Sequence, residues 1–228
     1  MTHTINAPVL NAPTGNRDRS LSAARRLLAI GASAGPLFLG LGVVQGLTRE
    51  GFDFSRNAFS QLSLGELGWV QTASFVLTGL LIAAGALGVR QALDAGQAAR
   101  WVPGLLGVFG ASFMVNAVFR ADAGAGFPVG TPQGPPAAIS AQGAVHMVSG
   151  LVGFLSLCVA FFFLARWFAA RQERGWALAC RLLPMGVLAG FMGSGASVVA
   201  FTVGAGLGLM GLTAVTLRLA LHPRPSNG

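Results

Sequence analysis

LLPMGVLAGFMGSGASVVAFTVGAGLGLMGLTAVTL, Leu182 to Leu217, carries no charged residue. About 20 apolar residues cross a hydrocarbon core. This run is therefore too long for one crossing and barely long enough for two. Gly204, Gly206 and Gly208 fall where a tight turn would divide it. That division predicts a fifth span near Leu182 to Val203 and a short sixth near Leu207 to Leu221.

Reading outward, the same pattern recurs. Apolar runs extend over Leu27 to Leu47, Gly68 to Val89, Val102 to Phe119 and Ser140 to Ala165. The chain is 53% hydrophobic and 10% charged, against about 25% charged in a soluble domain. The fold class is all-α, a polytopic transmembrane helical bundle of six spans. A five-span reading stays open if the last run is not divided.

The arginines support six. With both termini cytoplasmic, the inside segments hold Arg17, Arg19, Arg25, Arg26, Arg90, Arg100, Arg166, Arg171, Arg174, Arg181, Arg218 and Arg224, and the outside holds Arg49, Arg56 and Arg120. Twelve against three is a strong positive-inside bias. Five spans would put Arg218 and Arg224 outside. Residues 1–22 read as a disordered cytoplasmic tail, 23–221 as the bundle with outer loops at 48–68 and 120–140, and 222–228 as a second tail. The expected location is the plasma membrane, in multi-pass form.

Composition excludes some chemistry. There is no lysine, so no phosphate-loop lysine, Schiff base or lysine general base. The net charge of +8 is topological, and no nucleic-acid partner is expected. Cys158 and Cys180 have no metal-ligand spacing and read as packing residues. No metal site and no cofactor are expected. A haem with two histidine ligands would need a second buried histidine, and His146 alone lies in the membrane region. The expected partner is membrane lipid. The pairs Gly31 and Gly35, Gly186 and Gly190, and Gly204 and Gly208 have the spacing that lets helices approach closely. They read as packing within the bundle, with a homo-oligomer face as the alternative. Trp69, Trp101, Trp167 and Trp176 near span ends read as an interfacial belt.

The polar residues collect on the outer side. The first loop, TREGFDFSRNAFSQLSLGELGW, holds Asp53, Arg56, Ser60 and Glu66. Its centre, Phe54 to Leu64, reads as a short amphipathic helix with Phe59, Leu62 and Leu64 in the interface. The second, RADAGAGFPVGTPQGPPAAIS, is rich in proline and glycine and reads as an irregular segment over the bundle end. It begins with Arg120 and Asp122, which pair with each other or with Asp53 and Arg56. Ser140 is a plausible N-cap for span 4, with Gln142 and His146 on one side of its first turns. An ionisable residue inside a span marks a functional site by default. The candidate ligand-binding cluster is therefore Asp53, Arg56, Ser60, Glu66, Asn116, Arg120, Asp122, Gln142 and His146. A structural histidine bonded to Asp122 or Asn116 is the plainer reading, and no residue is assigned as catalytic.

The segments GFDFSRNAFSQLSLGELGWVQTASF, RADAGAGFPVGTPQGPP, SAQGAVHMVSG and RGWALAC resemble an uncharacterised prokaryotic integral-membrane family, domain of unknown function 998. The resemblance covers roughly Gly35 to Arg181, and the last spans match poorly. It implies six spans. Similar members often carry histidine at the positions of Asn57 and Gln142, alongside the one matching His146. Two of those three histidines are absent here. The functional expectation is a membrane protein that binds a lipid or small apolar ligand near its outer face. The alternatives are a lipid-acting enzyme using His146 with outer-loop carboxylates, and a small-molecule transporter.

Overall fold

A computed structural model describes residues 14–134, 136 and 138–221. Seven α-helices form in order: α1 (Thr14–Ala32), α2 (Ala34–Thr48), α3 (Gly68–Ala92), α4 (Gln97–Val118), α5 (Ala141–Ala170), α6 (Arg174–Met192) and α7 (Val198–Leu221). They make six segments long and apolar enough to cross a membrane, because α1 and α2 together form the first. The six-span reading holds.

Each span packs against its neighbours in sequence, and α7 closes the ring on α1 and α2. This is the arrangement that short connections favour in a helical bundle. The end of α7 meets the start of the first span, where Arg25 Nε donates to the Ala220 carbonyl at 3.0 Å. Both described ends of the chain therefore lie on one side. The interior is a stack of aromatic and aliphatic side chains in which Phe109, Phe161, Phe168, Leu106, Leu157 and Ile82 are fully enclosed. The outer surface of every span carries exposed apolar residues, among them Leu80, Leu87, Val148, Leu155, Phe162 and Met185. In α3 half of the spanning window is buried, and in α6 only 22%. So α3 is the central helix and α6 the most peripheral.

The first span breaks at Ser33 for a local reason. Pro36 has no N–H, so the Ala32 carbonyl loses its usual donor four residues on. The Thr213 hydroxyl of α7 donates to it instead, at 2.9 Å. Directly before this break, Gly31 crosses Gly85 of α3 so closely that a Cβ on Gly85 would lie 3.0 Å from the Gly31 Cα.

Several expectations are corrected here. The chain turns at a short 3-10 segment, Gly193–Gly195, and not at Gly204 to Gly208. Those three glycines lie inside α7, and a Cβ on Gly204 would meet the Gly190 Cα at 2.8 Å. They serve helix contact, so the sixth span is full length. The fifth begins at Arg174 and the third at Gln97, earlier than their apolar runs, because arginine and glutamine extend helices well in the first turn. Residues 14–22 of the expected tail are the start of α1. Residues 1–13 and 222–228 lie outside the described residues. The outer-loop helix is a 3-10 segment over Phe59–Ser63 only. Its Leu62 is wholly buried against protein and not in the interface. Two of the four tryptophans, Trp69 and Trp101, are exposed as a belt requires. Trp176 stacks on Phe168 and Trp167 lies beneath the Arg171 guanidinium, so these two pack inward.

Candidate functional site

The two long loops meet at one end of the bundle and form a single cap. Asp53 organises the first. Its carboxylate accepts from the Ser55 amide and hydroxyl at 2.8 and 2.6 Å and from Arg56 Nε at 3.0 Å. The Ser55 bonds, more than Arg56, hold its pKa below the ordinary carboxylate value. Asn57 is buried, and its Nδ2 donates to the Gly124 and Ala125 carbonyls of the second loop. Gln61 Nε2 reaches the Asp122 and Gly124 carbonyls, and Arg56 reaches Gln133 at 2.7 Å.

Arg49 completes the join. It donates to the Leu62 and Leu64 carbonyls at 3.0 and 2.6 Å and lies over the Phe127 ring of the other loop. Partial burial lowers its pKa without threatening its charge. Beneath, Phe52, Phe54, Phe59 and Phe127 pack edge to face. Phe54 and Phe59 occupy the space beside Gly46 and Gly42 of α2, where any Cβ would collide with their rings. A glycine ridge of this kind usually receives another helix. Here it receives the loop.

The nine candidate residues divide. Asp53 and Arg56 pair with each other. Asp122 Oδ2 accepts from the Ser140 amide at 3.0 Å, and Ser140 Oγ accepts from Gly143 as the cap of α5. Asn116 Oδ1 accepts a short hydrogen bond from the Ser149 hydroxyl. His146 Nδ1 is 2.8 Å from the Phe119 carbonyl, and its ring meets Phe75 edge-on. Since a carbonyl only accepts, Nδ1 carries the proton and Nε2 is the basic nitrogen of the neutral ring. Neither Asp122 nor Asn116 is hydrogen-bonded to His146. Ser60 is half-buried and contributes only its backbone carbonyl, to the Ser63 hydroxyl. Glu66, Arg120 and Gln142 are exposed, with no side-chain hydrogen bond or ion pair among the described residues. The Asp122–Arg120 pair does not form. Among the described residues no three His, Cys, Asp or Glu side chains converge as metal ligands.

Sequence reading did not group a second polar set, which starts beneath the cap and runs down α3. Gln71, Ser74 and Thr78 of α3 recur at i, i+3 and i+7 and are 0 to 2% exposed, and Gln45 of α2 is 7% exposed. Gln45 Nε2 donates to both the Leu41 carbonyl, at 3.2 Å, and Gln71 Oε1, at 2.7 Å. Flipping that amide would set oxygen against oxygen at Leu41, so its orientation is fixed. Gln45 Oε1, Gln71 Nε2, Ser74 Oγ and Thr78 Oγ1 are left with no partner among the described residues. Each such group costs about 1–3 kcal/mol when buried. The i, i+3, i+7 spacing was the available signal.

At the opposite end, α6 and α7 part to leave an apolar groove of about 390 Å3. Trp176, Ala179 and Leu183 line it from α6 and Leu207, Gly211 and Ala214 from α7, and Leu182 and Leu207 of its lining are exposed. One turn beyond Ala214, Arg218 pairs with Glu173 at 2.7 Å.

Six apolar crossings, a polar cap at one end and a lipid-facing apolar coat define a polytopic helical membrane protein. Residues 32–222 match the family described as Protein of unknown function (DUF998), and the chain belongs to that family. The match includes the last two spans, beyond the reach of the sequence resemblance. No curated protein and no solved structure matches the chain.

Proposed function

We propose that this protein binds a membrane lipid, with an acyl chain seated in the groove between α6 and α7. The groove is the observation that carries the reading. Its volume of about 390 Å3 falls within the range of small-molecule sites, its walls are apolar, and two of its lining residues, Leu182 and Leu207, are exposed on the apolar coat of the bundle. It lies away from the cap, so the lipid meets the inner half of the bundle and not the outer face. The protein sits multi-pass in a prokaryotic plasma membrane with both termini cytoplasmic. The arginine distribution supports that orientation.

Native mass spectrometry of the purified protein tests the binding. Ala214→Phe fills the groove and should abolish retained lipid adducts. Leu178→Phe, at an exposed α6 position, should leave them unchanged. Equal retention by wild type and Ala214→Phe would refute the assignment.

A second reading places acid–base chemistry on His146. The Phe119 carbonyl that fixes its tautomer favours this, because it leaves Nε2 basic. Turnover of a lipid that His146→Gln abolishes, with folding intact, would select it.

A further inference from the structure

We infer that the buried polar face of α3, with Gln45 of α2, is a binding site for a short file of ordered water inside the membrane-spanning bundle. Four polar atoms there are enclosed and unpartnered among the described residues, and no ionised side chain belongs to the set. A neutral hydrogen-bonding ligand therefore suits it better than an ion. The four side chains are 0 to 7% exposed, so any ligand there is small and enclosed by protein.

The donor and acceptor pattern gives the file a direction. Gln71 Nε2 only donates, Gln45 Oε1 only accepts, and the two hydroxyls do both. One water accepts from Gln71 and donates to Gln45 and Ser74. That makes three partners, the usual number for a buried water. Residues three or four apart on a helix lie about 5–6 Å from each other, the span of one bridging water. A second water thus joins Ser74 to Thr78. Gln71 and Thr78 are separated by about 10 Å along the helix axis, so one water cannot serve both. Phe75 lies one turn from both Gln71 and Thr78 on α3, which sets it beside the file, and its ring meets the His146 ring edge-on.

Radiolytic footprinting of the intact protein in nanodiscs tests this. Bound water yields hydroxyl radicals in place, so adjacent rings are oxidised even when buried. Phe75 should be oxidised well above Phe109 and Phe161, both 0% exposed in the dry core. Combining Ser74→Ala with Thr78→Val should reduce Phe75 oxidation to the level of those controls. Oxidation of Phe75 no faster than the controls in wild type would overturn the inference, and would mean that the two hydroxyls turn back onto helix carbonyls. Undiminished oxidation in the folded double variant would overturn it as well. The wild-type comparison decides the matter alone if that variant does not fold.

Discussion

The Thr213 hydroxyl donates to the Ala32 carbonyl across 2.9 Å, and this is the carbonyl that Pro36 deprives of its helical donor. The break in the first span and the seventh helix are thus one structural unit. Thr213→Val keeps the shape and removes the donor. It should cost about 1 kcal/mol, the scale of hydrogen bonds between membrane helices. Pro36→Ala restores a backbone N–H for Ala32, so in that background Thr213→Val should cost much less. A double-mutant cycle of unfolding free energies measures the coupling. Additive effects would show that the hydroxyl does not compensate for the proline.

The crossing of Gly31 and Gly85 makes a second prediction. Gly85→Val places new atoms against the α1 backbone, and neither helix can yield without unpacking. Such overpacking should cost about 1–3 kcal/mol. Gly107 in α4 has nothing within 4 Å of its would-be Cβ. Gly107→Ala should be neutral or stabilising by up to about 1 kcal/mol, from helix propensity alone. Thermal unfolding in one detergent compares the two. Similar effects from both would remove the close crossing as a cause.

Much of this architecture was legible in the sequence. Apolar length and arginine placement determine spans because bilayer solvation and the positive-inside bias act on composition. The joining of the two long loops was legible only as a tendency. Apart from Arg56 to Gln133, its bonds from Asn57 and Gln61 run to backbone carbonyls, and backbone acceptors leave no mark on residue type. Glycine misled for a related reason. Gly204 reads equally as a turn former or a contact residue, and only its partner Gly190 decides. His146 lies in the second turn of α5, and its hydrogen bond goes to a carbonyl, which no side-chain pattern records.

The cap has a predictable acid response. Hydrogen bonds from Ser55, then Arg56, depress the Asp53 pKa. A depressed carboxyl stabilises the folded loop at pH above its ordinary value of about 3.9. That contribution is lost as the pH falls through the depressed value. An NMR titration of the Asp53 side-chain carbon should give a midpoint below about 3.9. Ser55→Ala, which removes the hydroxyl bond but keeps the amide bond, and Arg56→Leu should each raise the midpoint. A wild-type midpoint at or above the ordinary value would contradict the bonding described for this loop.

The position of the last turn can be tested by thiol labelling. The native cysteines give little background, since Cys158 and Cys180 are buried at 7 and 0% exposure. Ser194 lies in the 3-10 turn between α6 and α7 and is exposed, whereas Gly206 is inside α7 and half-buried, near Leu39 of α2. Ser194→Cys should react with a membrane-impermeant maleimide added to the cap side, and Gly206→Cys should not. Helix geometry sharpens the contrast. The eight residue steps of α7 from Val198 to Gly206 descend about 12 Å from the turn, which carries Gly206 into the hydrocarbon. Labelling of Gly206→Cys with Ser194→Cys protected would return the turn to the glycine cluster. The sixth span would then be too short to cross without distorting the bilayer.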